Sequence, residues 1–463
     1  MVLDMICLLS KEENFVTVFD PEEQNKTSEI HPRRLTTQKR VIGHGHLDNT
    51  DTPQVRSFNV FGCHITVMPP LSGFEALRVL AIEEDCTFME ECRFQLENLG
   101  RLHQLRYLGL RDTPIGELPK EIGDLRFLQT LDLWGSEIEA LPQSVIMLRQ
   151  LKCLRAGSFG GTISVPDGMG NLTSLEELRL RKVIKSQNFV KELGKLTELR
   201  NLEIRIELTE SWMCESIVES LGKLEKIQEL YLDASGAKHD WEGYVPPPQL
   251  RYLTLVTKFS RLPSWINSLL LPNLVRFFIN LDDQMQVHDV MTLGEFPELL
   301  CLSINGRVDD IPVIKGGDAF PRLRWCVMQA PCRFLPGAMP SLESIEFDVH
   351  VRALKDANFD FDFGSLENLP CLREVRVFID CENTTATEVD EVEAAVRRAV
   401  DIHPNHPILE VHRWGQVRAT ILFICSANSF SNLNFPYFFL WQSDSIMTSD
   451  HDTHTRGGGG RRR

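Results

Sequence analysis

The sequence predicts an α/β solenoid: short units stacked into one coil, with a concave parallel β-sheet of about 13 strands and a helix closing the C-terminal end. Three observations carry this. A 23-residue period runs through the middle of the chain. Each unit contains the apolar alternation of a half-buried strand. The stretch from Glu388 to Val400 has acids first, bases last and apolar residues at helical spacing. A chain of 463 residues suggests roughly three domains at about 150 residues each, unless a repeat lets a single core grow along one axis.

Leu105-Arg-Tyr-Leu108-Gly-Leu110 is followed at offsets of 23 by Leu128-Gln-Thr-Leu131-Asp-Leu133 and Leu151-Lys-Cys-Leu154-Arg-Ala156. After the first two come Thr113 or Ser136, then Leu118-Pro119 with Ile122, or Leu141-Pro142 with Val145. This pattern is the leucine-rich repeat, and the fold it implies is a horseshoe. Leu35 and the run from Val55 to Val60 lie one period apart and read as degenerate opening strands ahead of the Leu77 unit. Looser copies start at Leu175, Leu199, Ile227, Leu250, Leu274, Leu299, Leu323, Leu342 and Leu372, with spacings between 19 and 30. In each L-x-L pair the leucines face inward and the residue between them faces the open side. The hydroxyls of Thr113 and Ser136 fall where the chain leaves the strand and should bond backbone groups that no ladder satisfies. The boundaries are then 1–30 for a linker, 31–385 for the solenoid, 386–414 for a cap ending in the strand Ile408 to Val411, and 415–463 for a poorly ordered tail.

With 49 Lys and Arg against 65 Asp and Glu, the net charge of −16 argues against a protein that binds nucleic acid by bulk electrostatics and favours protein partners. The charge is uneven: residues 101–200 hold 15 bases and 12 acids, residues 281–410 hold 11 and 24. The first ten residues lack a basic flank and contain Asp4, so they do not read as a secretion signal, and no stretch is apolar enough for a membrane span. Twelve cysteines without a C-x-x-C pair indicate reduced thiols and a cytoplasmic protein.

From Met1 to Trp414 the chain resembles the leucine-rich-repeat part of plant coiled-coil nucleotide-binding disease resistance proteins, especially those of grasses. The resemblance rests on Arg33-Arg34-Leu35-Thr-Thr-Gln38, Gln54-Val-Arg-Ser57, Leu105-Arg-Tyr-Leu-Gly-Leu110, Glu117-Leu-Pro-Lys-Glu-Ile-Gly123, Leu128-Gln-Thr-Leu131 and Leu409-Glu-Val-His-Arg-Trp414. Met1 to Cys7 and Glu13-Asn-Phe-Val16 look like the segment that follows the Met-His-Asp end of the nucleotide-binding module in such receptors. The resemblance implies a non-enzymatic recognition module of innate immunity. Its partners would be a pathogen effector, a guarded host protein or the nucleotide-binding module of a receptor.

Nothing in the sequence supports catalysis or a cofactor. Gly194-Lys195 and Gly222-Lys223 are each followed by leucine and lack the upstream glycine of a phosphate loop, so nucleotide binding is not carried over. His44-Gly-His46, and His403 and His406 with His412, lack the cysteine or carboxylate partners of a zinc site. Gly157-Ser-Phe-Gly-Gly161 has its serine in the wrong place for a nucleophile elbow. The acidic runs at Glu83-Glu84-Asp85 and Glu90-Glu91 read as a solvated loop.

The informative set is the open face. Its central ladder reads Gly109, Asp132, Arg155, Arg179, Glu203, Tyr231, Thr254, Phe278, Ser303, Val327, Glu346 and Arg376, with Trp134, Arg181, Arg205, Tyr252, Arg276 and Trp325 beside it. Arg155, Arg179, Arg181 and Arg205 form an expected basic ridge, and Tyr231, Tyr252, Phe278 and Trp325 an aromatic stretch. Arginines and aromatics anchor interfaces more than other side chains do. A partner of opposite polarity is the expected occupant. The competing reading is an ordinary solvated sheet in which Asp132, Glu177, Glu203 and Glu229 neutralise the arginines. A general intracellular scaffold, of the kind that links Ras-family GTPases to a phosphatase, shares the Leu-Pro-x-x-Ile-Gly repeat. It predicts uniform units, which the drift in spacing disfavours. A ubiquitin-ligase subunit would need an N-terminal helix bundle, for which 30 residues are too few.

Overall fold

The computed structural model describes residues 17–18, 33–38, 52–61, 71–83 and 96–414, the last with short interruptions at 159, 185–186, 209, 236–240, 260, 282–286, 307–310, 318, 352–362 and 383. The expected tail, His44, His46, Glu84, Asp85, Glu90 and Glu91 lie outside the described residues. Among the described residues twenty strands run in chain order: β1 Thr17–Val18, β2 Arg34–Gln38, β3 Ser57–Phe61, β4 Val79–Glu83, β5 Tyr107–Arg111, β6 Thr130–Trp134, β7 Cys153–Gly157, β8 Ile163–Ser164, β9 Glu177–Ile184 and β10 Asn201–Glu207. They continue as β11 Glu229–Ser235, β12 Tyr252–Phe259, β13 Arg276–Leu281, β14 Cys301–Asn305, β15 Val313–Ile314, β16 Trp325–Met328, β17 Arg333–Phe334, β18 Ser344–His350, β19 Glu374–Asp380 and β20 Ile408–Trp414. The helices are α1 Gln187–Glu192, α2 Ser211–Gly222, α3 Val287–Gly294 and α4 Ala386–Asp401.

Eighteen of these strands form one parallel sheet, and β15 pairs with β17 apart from it. Within the large sheet β8 touches only the end of β9, through Ile163 opposite Val183. The other strands of that sheet follow one another in chain order. The expected 13 strands gain the opening pair β2 and β3, the closing β20, and β1. The last pairs Thr17 with Leu35 inside the segment 1–30 that was read as a linker. Two residues are too short to carry a periodic signal, so sequence pattern missed that strand.

The inner leucines explain why the units stack. Leu108, Leu110, Leu131, Leu133, Leu154 and Leu178 are all fully buried. Each contributes roughly 1.5–3 kcal/mol by leaving water, and none could do so in an isolated unit. A one-residue slip would turn this row outward, so the register is strict: Leu108 faces Leu131, which faces Leu154. Outside the sheet the chain returns through short 3-10 turns such as Lys120–Asp124 and Gln143–Met147. Pro119 and Pro142 stand before these turns in extended conformation, where no N–H is needed, and their carbonyls accept from Ile122 and Val145. The hydroxyls of Thr113 and Ser136 donate to the Leu110 and Leu133 carbonyls at 3.0 and 2.7 Å, as expected for buried turn residues.

α4 closes the solenoid. Thr385 and Glu388 form a reciprocal capping box, and Val389, Val392, Val396 and Val400 bury the helix against the last units. Arg413 on β20 reaches back to Asp390 and Glu393 at 2.8 and 2.5 Å. Buried His403 accepts the Asn405 N–H at its Nδ1, and His412 stacks on Phe378, so the cap histidines sit in packing and hydrogen-bonding roles. Seven cysteines fall among the described residues, all free and most of them buried. Burial pushes the Cys153 and Cys326 thiols up to about 12. Of the described cysteines, alkylation of the native protein near neutral pH should therefore mark exposed Cys371 first and reach Cys326 only on unfolding. Mass spectrometry of the labelled protein checks the order, and rapid native labelling of Cys326 would contradict it.

Candidate functional site

The strand register places the whole predicted ladder in one lane. Gly109 faces Asp132, then Arg155, Arg179, Glu203, Tyr231, Thr254, Phe278, Ser303, Val327, Glu346 and Arg376 follow across successive pairings. Tyr252, Arg276 and Trp325 occupy a second lane two residues earlier, and Trp134 and Arg205 a third lane two residues later. Arg181 belongs to that third lane at an irregularity, where Lys182 takes a φ of 44°.

The basic ridge is present as a row of residues but not as a bare positive surface. Arg155 binds Glu177 through two parallel hydrogen bonds of 2.8 and 3.0 Å and Asp132 at 2.9 Å. Arg179 meets the same Glu177 at 2.6 Å and Glu203 at 3.5 Å. Arg205 pairs with Asp233 at 2.7 Å. The result is an alternating ladder, Asp132–Arg155–Glu177–Arg179–Glu203, laid across the four neighbouring strands β6, β7, β9 and β10. Asp132 has no exposed side-chain surface, so its charge depends on these partners and on the Trp134 N–H that it accepts at 3.2 Å. Of the carboxylates anticipated as neutralisers, Asp132, Glu177 and Glu203 take part, joined by Asp233. The bare basic ridge expected on the early face is corrected, because long side chains on adjacent units, in the same or the neighbouring lane, meet and cancel.

Trp134 and Trp325 are each only 6% exposed. Arg181 lies over the Trp134 ring at 4.6 Å from its centroid. Gly157 makes this reach possible: it sits beside Trp134 in register, and a Cβ there would come within 2.6 Å of the Arg181 Cβ. Burial lowers the Arg181 pKa, because a guanidinium over an aromatic ring has little water. Further along, Arg276 lies 5.3 Å from the Tyr252 ring and 5.9 Å from Phe278, and Phe278 tilts against Trp325 at 5.7 Å. Tyr231 is half-buried, and its hydroxyl interacts with Arg205. All ten predicted residues therefore lie on the concave sheet, as arginine-backed aromatics rather than protruding anchors. Sequence reasoning missed Tyr107, whose ring lies where a Gly109 side chain would stand, and Gly157; glycine in an open-face position was the available signal for both.

The acidic late end has its own chemistry. Arg376 binds Glu410 at 2.9 Å and Glu374 at 2.5 Å, and lies 3.9 Å from Glu346. Burial raises Glu346 to about 7 and Asp348 to about 6, with neighbouring carboxylates adding to both. A native pKa above the unfolded value means the stabilisation is complete at low pH and is lost as pH rises through the native pKa. The late repeats should therefore weaken by roughly 1–3 kcal/mol between about pH 5 and 8, and Glu346→Gln should flatten that slope. Urea unfolding across this range measures it, and stability rising with pH would refute the assignment. Among the described residues no three His, Cys, Asp or Glu side chains gather as a metal site, and no helix is long and apolar enough to cross a membrane. Ser158 Oγ accepts the Gly161 N–H at 2.8 Å and serves the turn.

A stacked parallel sheet whose open face carries ion-paired arginines and aromatics, over a core made of leucines, defines a repeat protein with a wide recognition surface. The chain belongs to the leucine-rich repeat region family, whose model matches residues 54–409. It is 25% identical over 372 residues to disease resistance protein RGA5 of Oryza sativa subsp. japonica, covering 76% of this chain and 32% of that protein. Disease resistance protein Pik-2 of the same plant is 25% identical over 444 residues, covering 81% and 42%. Putative disease resistance RPP13-like protein 2 of Arabidopsis thaliana is 31% identical over 265 residues, covering 55% and 30%. The chain thus spans roughly a third to two-fifths of the plant relatives it matches. Among solved structures, a leucine-rich-repeat protein of Leptospira interrogans aligns with a TM-score of 0.51 at 17% identity, over 79% of this chain and 92% of that one. At that identity it shares the fold alone.

Proposed function

We propose that this chain is a non-enzymatic recognition module of plant immunity, acting in the cytoplasm, that binds a protein across its concave sheet. The partner is a pathogen effector, a guarded host protein or the nucleotide-binding module of a receptor. The observation that carries the reading is the succession along three neighbouring lanes of the open face in which Arg181 over Trp134 is followed by Tyr231 and then by Arg276 among Tyr252, Phe278 and Trp325. Side chains of this type form the energetic centre of protein interfaces, because they bury large area with little entropy loss. The similarity to plant disease resistance proteins supports the immune setting. Irregular units bearing α2 and α3 favour this reading over a uniform scaffold. Photo-crosslinking residues placed at Tyr231 or Phe278 should capture a coexpressed nucleotide-binding module or effector, and Arg181→Glu with Phe278→Ala should remove the adduct. Capture only from convex positions such as Leu269, which is 90% exposed, would overturn the reading.

A further inference from the structure

Beside the concave sheet runs a second row that the open-face ladder does not include. It occupies the position where the chain enters each strand: Arg33, Arg56, Arg78, Arg106, Gln129 and Lys152. These residues are stacked directly, since each backbone N–H donates to the carbonyl of the one before at 2.7 or 2.8 Å. The four arginine side chains are exposed, and none makes an ion pair or side-chain hydrogen bond among the described residues. Arg126 and Arg149 add exposed guanidinium groups on the same side, and Arg149 donates only to the Asn171 carbonyl. Carboxylates also stand along this edge: Glu75 two residues before Leu77, Asp124 two residues before Arg126, and Glu176, which meets Lys152 at 2.7 Å, so compensation of the row begins at Lys152. On the late repeats the row is compensated instead, because Arg324 and Arg373 both face Glu343, at 3.7 and 3.6 Å.

Amid these exposed arginines stands Phe127, 47% exposed, with Met147, 57% exposed, in the next unit. At about 4.8 Å per strand, Arg33 to Arg106 covers roughly 15 Å, a length over which the arc of the solenoid is nearly straight. A flat surface can therefore touch the whole row at once, which a concave lane does not permit. A line of exposed guanidinium groups with no ion-pair partner among the described residues, around an exposed aromatic ring, matches the interface of an anionic bilayer. There cations meet lipid phosphates and carboxylates while a ring settles at headgroup depth. We propose that the early lateral edge of this solenoid is a peripheral docking face for anionic phospholipid membranes, independent of the concave sheet and the protein partner assigned to it.

The test is co-sedimentation of the full chain with phosphatidylcholine vesicles, with and without phosphatidylserine. Binding is expected to the phosphatidylserine vesicles only and to weaken with salt. Each arginine removed should weaken it roughly fivefold, so Arg78→Gln, Arg106→Gln and Arg126→Gln together should do so on the order of a hundredfold. Phe127→Ala should cost roughly tenfold. Arg373→Gln, on the compensated late edge, should leave binding within about twofold. Circular dichroism verifies that each variant is folded. No binding to phosphatidylserine vesicles, equal binding to both vesicles, or equal loss in Arg373→Gln would each overturn the proposal. Arginine-dependent binding to soluble polyglutamate without vesicle binding would overturn it too and would assign the edge to an acidic protein.

Discussion

Arg155→Met should destabilise the folded protein by about 3 kcal/mol, far more than loss of an exposed ion pair. The reason is Asp132. Its carboxylate has no exposed side-chain surface and is held by Arg155 at 2.9 Å, whereas Arg111 stands 3.9 Å away. Methionine keeps the aliphatic packing and deletes the charge, leaving Asp132 buried with one distant cation and leaving Glu177 to Arg179 alone. Asp132→Asn in the same background should recover part of the loss, because asparagine still accepts the Trp134 N–H without needing a countercharge. Urea unfolding of the two single variants and the double variant measures the coupling. A single-variant loss below about 1 kcal/mol would show that the ladder is no more than a screened surface network.

Leu154→Ala should cost about 3–4 kcal/mol, since Leu154 is fully buried between Leu131 and Leu178 and the rigid neighbouring units cannot collapse into the void. Its distribution is more informative than its size. In a solenoid each unit touches mainly its neighbours, so the damage should spread from β7 into β6 and β9 and fade before β18 to β20. Native-state hydrogen exchange resolved by strand should show faster opening around residues 130–180 with near-normal protection at 374–414. Equal acceleration along the whole chain would mean that the stack behaves as a single cooperative unit, contrary to this reading.

Leu105, Leu108 and Leu110 recur with their spacing because a local coil must return its leucines to one core, so period, strand position and inward face were legible from residues alone. The cap was legible for the same reason, since charge order and apolar spacing within 386–401 report a helix end without reference to neighbours. Thr17–Val18 was not, because two residues have no period.

What the amino-acid sequence determined by itself is a parallel solenoid with a known open face, and hence membership of the concave lane for residues from Gly109 to Arg376. The tertiary structure decided which of those side chains meet. Arg155 finds Glu177 and Asp132, 22 and 23 residues away, only because stacking brings the same lane and the next one on adjacent units within a few ångströms. Gly157 matters only because Arg181 passes over it to Trp134. Glu346 and Asp348 hold their protons to higher pH only where the late units bury them beside other carboxylates. Apolar periodicity is a property of the chain read one unit at a time, whereas electrostatic pairing and exposure depend on distances between units, which exist only after stacking.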